Sequence, residues 1–179
     1  MRLRNIQKAL RFRNAFSFLL GAVLFLGAVL VLSQSIVVLQ VVDETDQPLI
    51  IHPVESGTRF SHQYRHSVAK CPIIEKFELD NQSRMVLMES WNCSFGAGIA
   101  TEPPPGASDR LVDGFYVIED IGQVVPELFF HPVAITDHRL TVENQTWNLS
   151  EPPFEGQTIR LTIEQTTRWR YWVHVIQAG

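Results

Sequence analysis

The residues best suited to chemistry lie in two short polar runs near the middle of the chain. The first run contains Tyr64, His66 and Ser67 at the end of an alternating stretch, and the second places Glu75 between apolar residues. Phenol, imidazole and carboxylate groups hold and exchange protons when they meet in a protected site. A tight turn between the two runs would bring Tyr64 or His66 beside Glu75, depending on the register. We therefore group these residues as one candidate binding cluster.

A second carboxylate joins the cluster if residues 71–93 form a hairpin centred on Gln82. In that register Glu75 lies directly opposite Glu89 on an otherwise apolar sheet face. Like charges that face each other destabilise a sheet, and burial of such a pair raises the pKa of at least one carboxyl group. The register therefore predicts either a pocket at this face, or a cation or donor between the two carboxylates.

The same register places the two cysteines of the chain, Cys71 and Cys93, opposite each other. Thiols oxidise outside the cytoplasm, where we place this part of the chain, so the spacing predicts a disulfide that closes the hairpin. Such a bridge would stabilise the fold by about 3 kcal/mol in the chain-entropy model. The alternative is a pair of small buried thiols.

Four interpretations of the polar cluster stay open: a structural hydrogen-bond network, a binding pocket for a small molecule or a partner loop, a metal site, and a catalytic site. His62 and His66 are four residues apart, which is about 13 Å along a strand and too far to share one ion. No serine lies in a G-x-S-x-G motif, and no nucleophile–base pair follows from the spacing. We therefore predict no metal site, no cofactor and no enzymatic activity.

Two glycines, Gly96 and Gly98, follow the second strand of the hairpin and complete the candidate binding residues. Glycine allows a positive φ or the close approach of another backbone, and both properties suit the wall of a pocket. An ordinary turn at the end of a strand is the alternative interpretation of the same pattern.

The cluster must be positioned by β-strands, because short alternating runs separated by Gly, Pro and Asn recur throughout residues 36–179. About nine strands in one domain predict an all-β fold, either a β-sandwich or a partly open barrel. The cluster would lie on strands predicted at residues 58–68, 73–79 and 85–91, and a further strand pair is predicted at residues 139–143 and 146–149.

The end of the chain also alternates, and it predicts a last hairpin formed by residues 158–164 and 168–176. The outward side of its second strand would carry Arg168, Arg170, Trp172 and His174. Arginine and tryptophan are typical of interface anchors, and a solvated sheet edge is the alternative.

The first 35 residues suit a different environment. Residues 1–14 carry five basic residues and no acid, and no charge interrupts residues 15–32. A helix of 18 residues is about 27 Å long, close to the hydrocarbon thickness of a bilayer. Because a basic flank stays in the cytoplasm, we predict a single-pass signal anchor over residues 15–35 of the inner membrane, with the following domain in the periplasm. A cleaved signal peptide is the alternative.

The net charge of −4 hides this division of the chain. The flank holds five of the 15 basic residues, so the remaining ten basic and 19 acidic residues give the outer domain a charge of −9. Nucleic-acid binding works through phosphate neutralisation by basic residues, and this balance excludes it. The apolar content of 45% excludes a disordered tail.

At the polar cluster the chain resembles a family of small bacterial proteins with an uncharacterised domain, encoded beside TRAP-type transporters, chiefly of the TAXI class. The resemblance covers about residues 38–130. It rests on Tyr64-Arg65-His66-Ser67-Val68, on Pro72, on Glu75 before Phe77, and on Phe95-Gly96-Ala97-Gly98. The resemblance implies a membrane-tethered, extracytoplasmic accessory of a solute transporter.

The resulting hypothesis is an anchored β-domain that binds a component of a TRAP transporter or the transported solute. Its expected partners are the lipid bilayer, through residues 15–35, and the membrane or solute-binding subunits of the transporter. The alternative is a structural or assembly factor of the cell envelope that binds no ligand.

Overall fold

The computed structural model describes residues 18–93 and 102–178, with side chains described as far as residue 176. The chain divides into two compact units, one of Met1–Ile36 with Thr166–Gly179 and one of Val37–Gln165. The predicted basic flank 1–14 and the two candidate glycines Gly96 and Gly98 lie outside the described residues.

Strands dominate the described part of the chain. A helix α1 covers residues 18–32. The other elements are β1 (Ser35–Val42), β2 (Pro48–Pro53), β3 (Arg59–Arg65), β4 (Pro72–Leu79), β5 (Met85–Asn92), β6 (Ser108–Val112), β7 (Phe115–Glu119), β8 (Gln123–Val124), β9 (Glu127–Phe130), a 3₁₀ helix (Ala134–Thr136), β10 (Arg139–Val142), β11 (Gln145–Asn148), β12 (Ile159–Thr167) and α2 (Arg168–Ala178).

The strands form two sheets, which confirms the prediction of an all-β domain. The smaller sheet has the order β2-β1-β12-β9, and the larger has the order β11-β10-β3-β4-β5-β7-β6, with β8 also paired to β5. Neighbouring strands such as β3–β4, β4–β5 and β10–β3 run antiparallel. Over the described residues, neither sheet closes on itself into a barrel. The arrangement is that of two separate sheets.

The two sheets share one hydrophobic core. Strand side chains alternate between faces, so each sheet can turn one apolar face inward. Leu39 and Leu161 contribute from the smaller sheet, and Phe77 and Leu140 contribute from the larger sheet, all with at most 2% of their surface exposed. Phe60 of β3 stacks on Phe77 of β4 at 5.1 Å between ring centroids. This core holds β3, β4, β9 and β10 in fixed relation.

A β-bulge divides the β4–β5 hairpin into two registers. Near the turn, Phe77 pairs with Leu87 as predicted, but beyond it Lys76 pairs with Glu89 and Glu75 pairs with Ser90. The predicted opposition of Glu75 and Glu89 is therefore wrong. Met88 has no partner in β4, so every later side chain of β5 lies on the face opposite to the predicted one. This change removes the repulsion of two facing carboxylates.

The disulfide prediction is confirmed. Cys71 and Cys93 are joined, with their Cα atoms 6.0 Å apart, where β4 begins and β5 ends. The bulge shifts the pairing of the two strands by one residue. Both cysteines lie just outside the paired residues, and the bridge still closes the hairpin.

The predicted last hairpin is wrong. β12 continues to Thr167, and Arg168–Ala178 forms the helix α2. Residues 165–167 contain none of the Gly, Asn, Asp or Pro residues that tight turns require. Trp169, Trp172 and Ile176 follow a three- and four-residue spacing, which is helical. Arg168, Arg170, Trp172 and His174 therefore do not share one side of a strand.

The described helix α1 exposes its apolar side chains. Phe18 is 81% exposed and Leu24 is 65% exposed. Residues 15–17 of the predicted anchor lie outside the described residues. In residues 18–93 and 102–178, no helix combines the length and the apolar character needed to cross a membrane.

Candidate functional site

Side chains from β3, β4 and β9, and from the turns after β3 and before β10, line a cleft of about 500 Å³. Four of the predicted binding residues lie in it together: Tyr64, His66, Ser67 and Glu75. The structure therefore places the core of the predicted cluster in one site, although the pairing differs from the expected one.

The direct cross-strand neighbour of Glu75 is His62, not Tyr64 or His66. The connection between β3 and β4 is longer than the predicted tight turn. The last pair of the two strands is Arg65 with Pro72, so residues 66–71 form the connection. This longer turn moves the register so that His62 and Glu75 face the same side of the sheet.

Glu75, His62 and His138 form a chain of polar contacts. A carboxylate oxygen of Glu75 lies 3.5 Å from Nδ1 of His62. Nε2 of His62 is hydrogen-bonded to Nδ1 of His138 at 2.9 Å, so one ring donates and the other accepts. Both imidazoles are buried, with 4% and 8% of their surface exposed. The chain leads from the partly exposed carboxylate to a buried ring pair.

His138 owes its position to the start of β10. Asp137 before it has φ of 42°, a left-handed conformation that turns the chain sharply after the 3₁₀ helix. The backbone N–H of His138 donates to Oγ of Ser150 at 2.8 Å, and its carbonyl accepts from the N–H of Leu149 at 2.8 Å. The ring is therefore fixed against β3 by backbone contacts on both sides.

Burial first, and then the neighbouring His62, lower the pKa of His138 to about 4, although the carboxylate of Asp137 acts to raise it. His138 is therefore neutral at pH 7. A neutral ring can accept one hydrogen bond and donate another, which is the state that the contact with His62 requires.

Four rings stack in and around the cleft. His62 stacks on Phe130 at 4.6 Å, on His138 at 5.1 Å and on Tyr64 at 5.2 Å between centroids. Burial raises the pKa of Tyr64 to about 12, and the negative charge of Glu75 adds to the rise. The phenol therefore stays protonated and remains a hydrogen-bond donor at any physiological pH.

His66 organises the turn that borders the cleft. Its Nδ1 accepts from the N–H of Val68 at 3.3 Å and from the N–H of Ala69 at 3.1 Å. Its backbone N–H donates to the carbonyl of Cys71 at 2.8 Å, next to the disulfide. Since Nδ1 accepts, the neutral ring carries its proton on Nε2, which leaves Nε2–H as a donor.

The charged groups of the cleft are not paired with each other. Among the described residues, Arg65 has no ion-pair partner, and Glu75 accepts no hydrogen bond and contacts only His62 as a charge partner. Leu128 and the 62% exposed Phe129 add apolar surface to the same cleft. The site thus combines hydrogen-bond donors, a carboxylate that accepts no hydrogen bond among the described residues, and an apolar wall, which is typical of a ligand site.

Glu89 lies on the other face of the sheet and does not join the cluster. Its carboxylate accepts from Nζ of Lys76 and from Nε1 of Trp91, both at 2.7 Å. Burial raises the pKa of Glu89, but the two hydrogen bonds and the charge of Lys76 outweigh it, so the pKa lies below its usual range. Lys76 also lies over the Trp91 ring, 4.4 Å from the centroid.

A second cavity of about 340 Å³ lies at this outer face and includes Glu89. Four of its five charged residues form ion pairs, since Arg59 pairs with Glu78 at 2.8 Å and Lys76 pairs with Glu89 at 2.7 Å. The cleft around His62 is therefore the better candidate site.

Within residues 18–93 and 102–178, no three His, Cys, Asp or Glu side chains are grouped so as to hold an ion. What the cleft offers is hydrogen bonding and charge: a hydrogen-bonded histidine pair, a protonated phenol, a guanidinium and a carboxylate.

Sequence reasoning missed two central residues, His62 and His138. His62 shares the alternation of Phe60 and Tyr64, and that pattern was sufficient to place it on the inward face of β3. His138 lies 76 residues further along the chain, and only the β10–β3 pairing brings it to His62. No local signal in the sequence could have joined the two.

Comparison with known families gives one match. A family model described as a domain of unknown function, DUF1850, matches residues 60–149, which is half of the chain. All residues that line the cleft lie within the matched range. No curated protein and no solved structure matches the chain.

Proposed function

This chain belongs to the DUF1850 family, and we propose that it is a membrane-anchored, extracytoplasmic accessory protein of a TRAP-type (TAXI) solute transport system. In this proposal the cleft around His62 binds the transported solute, a small molecule with a carboxylate group. The proposal assigns binding to the cleft and no catalytic step.

The observation that carries the proposal is that Arg65 and Glu75, which both line the cleft, form no ion pair with each other. Arg65 has no ion-pair partner among the described residues, and the Nε2–H of His66 is a donor on the same rim. A guanidinium and an imidazole N–H together match the two oxygens of a carboxylate. Glu75, which lines the same cleft, suits an amino or hydroxyl group of the same solute.

The anchor is supported by the pattern of the first 35 residues. Residues 15–32 carry no charge, five basic residues precede them, and the described helix α1 exposes its apolar side chains. A basic flank before an uncharged helix favours an orientation with the N-terminus in the cytoplasm. In the proposal the cleft is therefore extracytoplasmic, where a TRAP system receives its solute.

A disulfide at the edge of the cleft supports the same compartment. Cys71 and Cys93 are bonded to each other, and disulfides persist in oxidising compartments such as the periplasm. The bridge lies next to the His66 turn through the contact of the His66 N–H with the Cys71 carbonyl.

Thermal denaturation of the full chain with a panel of small carboxylates and amino acids tests solute binding. A ligand at about 100 times its Kd stabilises the folded state by about 2.7 kcal/mol, which raises Tm by about 5–10 °C in a protein of this size. Arg65→Gln should abolish the shift. The matched control is Arg84→Gln, because Arg84 lies in the β4–β5 turn and pairs with Asp80.

Co-purification tests the transporter partner. The wild-type chain, tagged and extracted in mild detergent, should retain a TRAP membrane or solute-binding subunit, and Arg65→Gln should keep that complex if the cleft serves the solute alone. If no solute raises the Tm of the wild-type chain and Arg65→Gln loses the complex, the cleft would instead bind a transporter subunit. No shift and no retained subunit would contradict the proposal and favour a structural factor that binds no ligand.

A further inference from the structure

We propose that α2 is a membrane-surface helix that lies on the outer leaflet of an anionic bilayer, beside the point where α1 leaves it. The inference rests on the anchor in the proposed function, but it concerns different residues from those of the cleft. Its partner is the lipid surface itself. The tryptophan rings would enter the lipid interface, and the basic side chains would contact the headgroups.

The apolar face of α2 is only partly covered by the residues that the structure describes. Trp169, Trp172 and Ile176 lie on one side of the helix, by their spacing of three and four residues. They are 53%, 50% and 75% exposed, and Val175 nearby is 40% exposed. Tryptophan at this density is typical of the interface between water and hydrocarbon, where the ring sits at the level of the headgroups.

The charge of α2 complements an anionic membrane. The helix carries Arg168, Arg170 and His174 and contains no acidic residue, whereas the outer domain as a whole has a charge of −9. An amphipathic helix with basic side chains and exposed tryptophan binds in the plane of the lipid interface. The acidic surroundings elsewhere make the basic character of α2 a local feature and not a result of composition.

The backbone ties the start of α2 to the end of α1. The N–H of Arg168 donates to the carbonyl of Gln34 at 2.9 Å, and Gln34 lies two residues after the last helical residue of α1. Both helices belong to the same compact unit. If α1 crosses the bilayer, α2 must begin at the level where that crossing ends, which is the level that its tryptophans prefer.

Tryptophan fluorescence of the full chain in vesicles tests the proposal. The chain has four tryptophans, and the double variant Trp91→Phe with Trp147→Phe leaves only Trp169 and Trp172 to emit. The variant is reconstituted into vesicles of phosphatidylcholine and phosphatidylglycerol, with bromine atoms on the acyl chains close to the headgroups. We expect emission at shorter wavelength than for exposed tryptophan, and strong quenching by the bromines.

Two substitutions in this background supply the matched comparison. Ile176→Asp places a charge on the lipid-facing side and should restore much of the quenched emission. His174→Asp places the same charge on the opposite side and should change the quenching far less. Replacing phosphatidylglycerol by phosphatidylcholine should also weaken the quenching, since the two arginines then lose their anionic partners.

Carbonate extraction of the same vesicles separates the two proposals. Retained protein with unquenched, long-wavelength emission would overturn the surface helix and leave the anchor intact. Protein released by carbonate would contradict the anchor and, with it, the surface helix. Equal loss of quenching in Ile176→Asp and His174→Asp would also overturn the assignment of the lipid-facing side. Solute binding by the cleft is measured separately and is not affected by any of these results.

Discussion

Carboxylates lie on both faces of the β4–β5 hairpin, and Glu89 and Glu75 differ in how they are satisfied. On the outer face, Glu89 accepts hydrogen bonds from Lys76 and Trp91, both at 2.7 Å. On the inner face, Glu75 lies 3.5 Å from a buried histidine and accepts no hydrogen bond among the described residues. The outer carboxylate therefore stabilises the sheet, while the inner one keeps its capacity to bind something else.

The bulge in β5 creates this difference. In a continuous register without the bulge, Met88 would pair with Lys76 and Glu89 would face Glu75 in the cleft. With the bulge, Met88 has no partner in β4, Glu89 pairs with Lys76 on the outer face, and Glu75 lies next to His62 on the inner face. A single unpaired residue in a strand thus separates a structural ion pair from a candidate ligand site.

The largest expected effect comes from shifting the register of β4. Deletion of Lys76 should move Glu75 into its place opposite Glu89, turn the buried Ile73 outward and destabilise the protein by more than about 3 kcal/mol. Urea denaturation measures the change in the free energy of unfolding. Lys76→Ala keeps the register and removes only a hydrogen-bond partner of Glu89, so it should cost about 1 kcal/mol. Equal losses in the two variants would contradict the role of the register.

Acid should lower the free energy of unfolding first through His138, on the inner face of the sheet. Unfolded His138 takes up a proton as the pH falls below about 6.5, whereas folded His138 does so only near pH 4. The free energy of unfolding is therefore highest above pH 6.5 and falls by about 3 kcal/mol as the pH drops to 4. The lowered pKa of Glu89 acts in a more acidic range.

Urea denaturation between pH 7 and pH 4.5 measures this dependence. His138→Gln should be less stable at pH 7, because it loses the ring stacking, but should lose much less stability between pH 6.5 and 4.5. His52→Gln is the matched control, since His52 lies away from the cleft and contacts Trp147. A slope unchanged in His138→Gln would show that another group carries the acid sensitivity.

The disulfide should matter to both faces and most to the cleft. Replacing Cys71 and Cys93 by serine should lower the free energy of unfolding by about 3 kcal/mol, since the bridge closes a loop with a sequence separation of 22 residues. The His66 turn, which is bonded to Cys71, should then exchange its amide hydrogens faster, while the Lys76 and Glu89 amides change less. Hydrogen exchange measures both, and equal acceleration at the two places would contradict this difference.

The smallest effects should come from neutralising each carboxylate in turn. Glu89→Gln should destabilise the protein by about 1 kcal/mol, because it weakens charge-assisted hydrogen bonds at a partly exposed site. Glu75→Gln should change stability by less than about 0.5 kcal/mol, because that carboxylate accepts no hydrogen bond among the described residues. Urea denaturation at pH 7 compares the two, and a larger loss in Glu75→Gln would reverse the comparison.

Local patterns predicted the hairpins of the fold, but not the bulge in β5 or the helix α2. Alternation and turn residues place the β4–β5 and β10–β11 pairs, and the spacing of Cys71 and Cys93 predicts their bond. The bulge at Met88 leaves no composition signal, because it is set by pairing across the sheet. α2 alternates as a strand would and also repeats as a helix would, and only the absence of turn residues before it favours the helix. β6 is polar at an exposed edge and so shows no apolar alternation.

The cleft was predictable only in part. Tyr64, His66 and Glu75 are close in sequence, and their grouping follows from two adjacent strands. His138 and Phe130 come from β10 and β9, and their approach to His62 depends on sheet order and on packing between sheets. Such contacts between distant parts of the chain have no local sequence signal.

Nuclear magnetic resonance of the full, ¹⁵N-labelled chain in detergent, titrated with the carboxylate that raises Tm most, tests the central claim most directly. Ligand binding should shift the amide signals of the cleft, at residues 62–67, 75 and 128–138, and leave those of Lys76, Glu89 and Trp91 nearly unchanged. Shifts centred on Lys76, Glu89 and Trp91 would contradict the account, as would a titration in which no cleft signal moves.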